Sequence, residues 1–368
     1  GLLGGYLRDM ELNVVELEKG DLQISPLGYR DDPDLYTRIE SASAIVEPLR
    51  AAGFEASPRL LAHGLVAADE SSAGVEFRGI EVEIDATVSR VHEHLVAGVW
   101  LDPAAPNGVV IGYRLSRMLG AEIGTELVVI TQGLDGAMAY ELVNVSGVLG
   151  SIGDATDMAG VFMLASSLRS LVGVEDGVHQ IVVRRPAGSE LDGAAADVRR
   201  MAPGMDVQTW RQLNPTLASL LDSSRQASSA MYVVVYAAVA ILVLNAMLMA
   251  AFERIREIGV LKALGVSPKQ VFAMMSAEAA LQAGIAIAVG LAAGVPTLLY
   301  LAKHGLDMTG MGGVSVVGMA MPQIWYAESG LGSYSGPVLA LVVIVALAVL
   351  FPAMKAARID PVQALHHQ

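Results

Sequence analysis

Three long runs in the C-terminal part of the chain contain no charged side chain: residues 231–252, 279–302 and 337–354. A hydrocarbon core of roughly 30 Å is crossed by about 20 helical residues at about 1.5 Å each. A helix buried in a soluble protein rarely stays apolar on every face over such a length. With their flanking residues, the runs therefore predict transmembrane helices within 223–252, 271–302 and 335–354.

The preceding residues, 21–222, instead show short alternating and helical patterns that end at glycine, proline and acidic turns. Period-two patterns predict strands at 21–25, 57–68, 75–88, 126–131, 139–149, 178–184 and 205–209. Helical spacing predicts helices at 34–52, 113–119 and 191–201, and a helix from residue 219 into the first apolar run. Asp34 and Gly53 are expected to cap the first of these helices, and Gly120 to end the second. The fold class is therefore α+β: a large mixed α/β domain joined to a transmembrane helical bundle.

The composition differs sharply between these two parts. The whole chain is 53% apolar and 17% charged, with a mean hydropathy of +0.50, which excludes a disordered chain. Residues 1–222 hold 16 basic and 32 acidic side chains, whereas residues 223–368 hold 8 and 6. The acidic excess disfavours nucleic-acid binding. Because the chain has no cysteine, disulfides and thiolate sites are excluded.

The basic residues predict which ends of the apolar helices face the cytoplasm. The segment 253–270 carries four basic side chains and the tail 355–368 carries two, whereas 303–334 carries one. The positive-inside rule places the first two segments in the cytoplasm, and 21–222 and 303–334 outside it. Residues 1–20 are interpreted as the end of a first transmembrane helix and its connector. A fourth, N-terminal span is thus inferred to be missing or truncated here.

The segment 253–270 reads as a short amphipathic helix between two spans. Its apolar positions are Ile255, Ile258, Leu261 and Leu264, opposite the charges. Gly265 is expected to end this helix, and Ser267-Pro268 to begin the next. Periodicity alone leaves two interpretations, a helix that contacts a partner protein and a basic helix that lies on lipid headgroups.

Two stretches of the sequence carry a family resemblance. Residues 253–271, ERIREIGVLKALGVSPKQV, resemble the signature loop of FtsX-like permeases, the membrane subunits of MacB- and LolC/LolE-type ABC transporters. Residues 352–365, PAMKAARIDPVQAL, resemble the C-terminal motif of that family. Weaker similarities lie at 112–125, at Thr209-Trp210-Arg211-Gln212-Leu213-Asn214, and at Glu278 with the glycines that follow it.

The resemblance implies a permease that transmits mechanical movement. Two permease subunits, identical or homologous, would pair with two ATPase subunits, which would bind ATP and Mg²⁺. No G-x-x-x-x-G-K-[ST] motif occurs in the chain, so the ATPase is expected to be a separate chain. This chain itself is expected to be no enzyme and to hold no metal or other cofactor. The residues expected to couple it to the ATPase are Glu253, Arg254, Arg256, Glu257, Gly259, Lys262 and Gly265.

The resemblance leaves three functions open. The first is release of a lipoprotein, or export of an amphipathic cargo, from the bacterial inner membrane, with a periplasmic carrier or outer-membrane factor as a further partner. The second is a signalling permease that regulates a cell-wall hydrolase, and the third is a non-transporting interaction subunit. A domain of about 200 residues that ends in TWRQLN favours the first, because the cell-division members of the family carry a smaller one.

Four residues in the apolar helices are weaker candidates. Asn245 is expected to pack or to form a hydrogen bond between helices. Glu278 either has a functional role within the membrane or reaches the cytoplasmic headgroups. Gly290 and Gly294 form a small-xxx-small face suited to close helix contact. Outside the membrane, His92-Glu93-His94 on a strand would suggest a metal site, but a solvated polar stretch is favoured.

Overall fold

In this computed structural model, residues 2–307, 315–316, 319–320 and 324–357 are described. They form two compact units: one contains Arg8–Ser219, and the other contains the three long apolar helices together with residues 2–7. We call the first the N-terminal domain and the second the membrane unit. The predicted fold class, a mixed α/β domain combined with long apolar helices, is confirmed.

The chain begins with helix α1, which passes directly into a π-helical turn, Val14–Lys19, that leads into the N-terminal domain. The helices of this part are α1 (Leu2–Asn13), α2 (Ala42–Ala51), α3 (Val82–Val88), α4 (Tyr113–Leu119), α5 (Asp154–Ala159), α6 (Ala165–Val172), α7 (Leu191–Met201) and α8 (Trp210–Leu213). Its strands are β1 (Leu22–Pro26), β2 (Glu55–Ala68), β3 (Ser71–Ile80), β4 (Leu95–Gly98), β5 (Gly108–Ile111), β6 (Glu126–Gln132), β7 (Met138–Leu149), β8 (Gly160–Leu164), β9 (Gln180–Arg184) and β10 (Met205–Thr209).

The first lobe of the N-terminal domain is an antiparallel sheet with two helices on one face. Its strand order is β10-β1-β9-β2, in which the first residues of β2, Glu55–Arg59, pair with β9. Helices α2 and α7 cover the sheet through Leu49 and Val198, both fully buried against Leu22 and Val183. Each helix carries an apolar stripe on one side only, so burial of that stripe fixes the face that it presents.

The second lobe is a closed barrel. Its strands pair in the ring β2-β3-β8-β5-β7-β6 and back to β2. Alternate residues point inward, among them Phe77, Leu127 and Val161, and the ends of α4 and α6 complete the interior with Leu115 and Leu168. Closure removes the unpaired strand edges that an open sheet would expose, and side chains fill the interior.

Strand β2 connects the two lobes, because its first half belongs to the sheet and its second half to the barrel. Arg59, which lies at this crossing and is 2% exposed, donates to Asp85 of α3 at 2.7 and 3.1 Å. Ser57 also donates to Asp85, at 2.9 Å. A buried carboxylate needs such partners, so α3 is held on β2 where the lobes meet.

Two predicted elements are wrong. Residues 34–52 do not form one helix: α2 begins at Ala42, and Asp34 instead accepts hydrogen bonds from the backbone of Tyr36 and Thr37 in a turn. Ile39 pairs with Val178 in an isolated β-bridge. Residues 75–88 are not one strand either, because β3 ends at Ile80 and the chain continues as α3. In both places a contact with a residue far away in sequence overrides the local pattern: Ile39 pairs with Val178, and Asp85 of α3 binds Arg59.

The other predicted elements occur with shifts of a few residues at most. Helices α4 and α7 have the predicted bounds, as does β10. Gly120 follows α4 with φ of 64°, the left-handed conformation that glycine adopts without strain. The pattern of apolar and polar residues did not predict β4, β5, β8, α5 and α6.

The membrane unit consists mainly of α9 (Pro215–Glu253), α10 (Ile255–Ala263), α11 (Pro268–His304) and α12 (Leu331–Ala357). Within the described residues, three helices are long and apolar enough to cross a bilayer: Pro215–Ala250, Pro268–His304 and Leu331–Lys355. Short strands β11 (Leu306–Asp307) and β14 (Ile324–Trp325) pair between α11 and α12. Strand β12 (Ser315–Val316) pairs with β13 (Met319–Ala320), and both are grouped with the unit that contains Arg8–Ser219. The predicted continuity of a helix from residue 219 into the first apolar run is confirmed, although this helix begins earlier, at Pro215.

Candidate functional site: the loop between the first two apolar helices

The loop between α9 and α11 has well-defined helix ends. Helix α9 ends at Glu253, and Arg254, with φ of −99° and ψ of 13°, breaks the helix before α10. Gly265 follows α10 with φ of 96°. Ser267 then caps α11 in a reciprocal arrangement with Gln270, and Pro268 occupies the first turn. The predicted roles of Gly265, Ser267 and Pro268 are confirmed, but α10 begins later than the predicted helix, and Glu253 belongs to α9.

One side of α10 is fixed to α11. Ile258 is 3% exposed and packs with the fully buried Val271 of α11, and Val266 and Met275 complete the contact. Gly259 is also buried on this side. Since a helix packed on a neighbour loses rotational freedom, α10 presents one fixed surface outward.

The outward surface of α10 is partly apolar. Val260 is 46% exposed and Leu264 is 78% exposed. Arg256 and Glu257 are exposed beside them, whereas Lys262 is half-buried. Leu264 was expected in the buried stripe, but the tight turn at Gly265 leaves it in the open. We call Arg256, Glu257, Val260 and Leu264 the exposed stripe of α10.

An ion pair holds the start of the loop to α11. Arg254 Nη1 donates to both carboxylate oxygens of Glu278, at 3.0 and 3.1 Å. Both side chains are partly exposed, at 56% and 39%, so the pair contributes little to stability but fixes the geometry. Arg254 was predicted as a contact for a partner protein, and here it binds within the chain. Glu278, predicted from sequence as a membrane or headgroup residue, faces the start of the loop.

The third apolar helix, α12, contacts both α11 and the end of α9 next to this loop. Ala279 of α11 packs with Val349 and Ala353 of α12, all nearly fully buried. Lys355 Nζ lies 4.8 Å from the centre of the Phe252 ring, a cation–π contact between α12 and the end of α9. The family-like tail begins within α12, but its part from residue 358 onward lies outside the described residues, as do the two histidines at 366–367.

The remaining membrane candidates lie at open positions in the part of the chain that the structure describes. Asn245 is exposed on α9. A Cβ atom added at Gly290 or Gly294 would meet no atom within 4 Å. The small-residue face of α11 is therefore open in a single chain, and its expected role in helix packing stays a prediction.

The segment with His92 and His94 forms a 3₁₀ turn, not the strand on which the metal-site interpretation depended. His92 lies 6.2 Å from the Trp100 ring, and His94 Nδ1 lies 3.2 Å from the Arg90 carbonyl oxygen. In the part of the chain that the structure describes, no group of His, Cys, Asp and Glu side chains has the arrangement of a metal site.

Comparison with known proteins identifies the membrane part of the chain. Residues 229–361 match the family model described as FtsX-like permease C-terminal. This match includes α10, the ion pair of Arg254 with Glu278 and all of α12. No curated protein matches the chain significantly.

The similarities to solved structures are weak, as three of them show. The periplasmic region of MacB from Actinobacillus actinomycetemcomitans is 12% identical with a TM-score of 0.41, over 56% of this chain and 95% of that one. The extracellular domain of the noncanonic ABC-type transporter YknZ from Gram-positive bacteria is 12% identical with a TM-score of 0.36, over 51% and 98%. A domain of a putative permease protein from Porphyromonas gingivalis is 15% identical with a TM-score of 0.32, over 51% and 85%.

At such identities and scores these similarities add nothing about cargo or partners. The family match is independent of them, and it covers the loop and most of the tail on which the sequence resemblance rested. Residues 229–361 therefore belong to the FtsX-like permease C-terminal family.

Proposed function

We propose that this chain is the membrane subunit through which a separate ATPase drives movements of the N-terminal domain. The observation that carries the proposal is the exposed stripe of α10, which is presented by a helix fixed on its other side. An apolar patch with adjacent charges on a fixed element is suited to a protein contact, in which the apolar residues supply affinity and the charges supply specificity. Two such stripes, one on each permease subunit, would engage two ATPase subunits.

The contacts that hold α10 and the end of α9 to the neighbouring helices support a mechanical role. Contacts through Ile258, Arg254 and Lys355 tie α10 and the end of α9 to α11 and α12. A push on α10 would therefore reach all three apolar helices together. Helix α9 continues without a break from Pro215 to Glu253, so it offers a stiff element for that displacement.

For the cargo, we infer a lipoprotein or another amphipathic molecule taken from the outer leaflet of the inner membrane. The large N-terminal domain and the TWRQLN segment at its end support release or export rather than regulation of a cell-wall hydrolase. Mass spectrometry of lipids and proteins that co-purify with the chain from its native membrane tests this inference. Recovery of a hydrolase without any lipidated or amphipathic molecule would instead favour the signalling role.

The coupling proposal predicts the effect of two substitutions in α10. Arg256→Glu reverses an exposed charge, and Gly259→Leu places a large side chain at a buried position of α10. Each should lower chain-stimulated ATP hydrolysis about tenfold, which corresponds to roughly 1.4 kcal/mol of lost contact free energy. The assay uses the full chain in proteoliposomes with the ATPase that co-purifies with it from its native membrane.

Lys269→Glu is the matched control, because Lys269 is an exposed basic residue outside α10. It should retain the wild-type rate. If both α10 variants hydrolyse ATP at the wild-type rate and co-purify with the same amount of ATPase as the wild type, the exposed stripe of α10 does not couple the two subunits. Equal binding of all variants to lipid vesicles would exclude a headgroup role for α10.

A further inference from the structure

Ion pairs converge on Glu16, where the chain enters the N-terminal domain. Glu16 Oε1 accepts from Arg184 Nη2 at 3.1 Å, and Glu16 Oε2 accepts from Arg90 Nη1, also at 3.1 Å. The Glu16 side chain is 21% exposed. One carboxylate therefore uses both of its oxygens on arginines from two distant parts of the sequence.

The two arginines belong to different lobes. Arg184 ends β9 in the sheet of the first lobe. Arg90 precedes Val91, which is 2% exposed in the layer that covers the outside of the barrel. The backbone repeats this connection, because the Arg90 N–H donates to the Glu16 carbonyl oxygen at 2.7 Å. Leu17, the next residue, is buried in the same outer layer.

The following residues attach the entry segment to the first lobe and to the exit of the domain. Asp21 is 4% exposed and accepts from Arg185 Nε at 3.0 Å. The Trp210 N–H donates to the Asp21 carbonyl oxygen at 3.0 Å. The entry segment Val14–Asp21 thus contacts both lobes and the start of α8. Its first part is a π-helical turn, a conformation that is rare and frequent at functional sites.

We propose that Glu16 is a positioning residue that locks the first lobe and the barrel together, so that both follow the entry segment as one body. The chain itself joins the two lobes twice, through β2 and through the segment between α6 and β9, and such chain connections can bend. The bridge from Glu16 to Arg90 and Arg184 adds a side-chain connection at another point of the domain. This inference concerns the N-terminal domain alone and does not depend on coupling to an ATPase.

Pulsed electron–electron double resonance tests the proposal, because it measures the distance between two spin labels, one in each lobe. Because the chain has no cysteine, labels can be placed at Ala196→Cys in α7 and Ser72→Cys in β3, both exposed positions. The full chain in lipid nanodiscs should give one narrow distance distribution. Glu16→Gln should broaden it and add a second distance, while the thermal unfolding midpoint stays near that of the parent.

Glu93→Gln is the matched control, since Glu93 also pairs with Arg90, at 2.9 Å, and is half exposed. It should leave the distribution narrow. Arg184→Gln should reproduce the broadening, which provides a second measurement if Glu16→Gln folds poorly. A distribution that stays narrow in both Glu16→Gln and Arg184→Gln, or one that broadens equally in Glu93→Gln, would overturn the proposal.

Discussion

At the scale of single residues, buried polar groups show how tertiary contacts assign roles that sequence cannot. His179 is fully buried, and its Nδ1 accepts the Leu61 N–H at 3.0 Å. Its ring stacks on Tyr29 with 5.2 Å between centroids. Burial lowers the pKa of His179 to about 4, mainly because the charged imidazole would lose its hydration. The native domain therefore requires neutral His179.

This requirement predicts a pH-dependent stability. The unfolded chain binds a proton on this histidine below about pH 6.5, whereas the native state resists protonation down to about pH 4. The contribution of His179 is thus present above pH 6.5 and is lost as the pH falls from 6.5 to 4. Between pH 7 and pH 5 the free energy of unfolding should fall by about 2 kcal/mol from this residue.

Denaturant unfolding of the N-terminal domain within the full chain, followed by tryptophan fluorescence, measures this loss. His179→Gln should be less stable than the parent at pH 7 but should lose less stability on acidification. His63→Gln serves as the control, because His63 is exposed, and it should keep the parent's pH dependence. An equal loss in the parent and in His179→Gln would contradict the assignment.

At the scale of elements, the TWRQLN segment forms the transition from the last strand of the N-terminal domain to the long helix α9. Thr209 caps α8 in a reciprocal arrangement with Gln212, and Trp210 is fully buried. Asn214 separates α8 from α9, which begins at Pro215. The motif therefore ends β10, turns the chain and starts the long helix that continues into the membrane.

Removal of the cap should weaken this turn. Thr209→Val keeps the shape of the side chain but loses the hydroxyl oxygen that accepts the Gln212 N–H at 3.4 Å. Loss of an N-cap costs about 1 kcal/mol, so the free energy of unfolding of the domain should fall by about that amount. Thr216→Val, an exposed position in the first turn of α9, should remain within about 0.5 kcal/mol of the parent.

At the scale of the whole molecule, tyrosines and basic residues mark opposite ends of the apolar helices. Tyr300 and Tyr334 lie near the helix ends that are remote from the α10 loop, and Tyr232 lies at the corresponding end of the first uncharged run. Tyrosine is favoured at membrane–water interfaces, and the basic loop is favoured in the cytoplasm. Together these features support the orientation that the positive-inside rule predicts.

Cysteine labelling tests this orientation directly, because the parent chain has no cysteine. Gly330→Cys lies at an exposed position before α12, where an added Cβ meets no atom within 4 Å, and Ala263→Cys lies on the exposed part of α10. In spheroplasts, a membrane-impermeant maleimide should label the first variant, and the second only after permeabilisation. The reverse result would invert the topology.

The sequence alone determined the three apolar helices, the end of α10, the start of α11 and the family of residues 229–361, because each depends on local chemistry: run length, helix caps and a short motif. Tertiary structure alone decided that β2 joins a sheet to a barrel, that Arg254 binds Glu278, and that Glu16 bridges the lobes. These contacts join residues far apart in sequence, so no local period encodes them. For the same reason Asp34 and Ile39, which fit a helical pattern, form a turn and a bridge once Val178 is beside them.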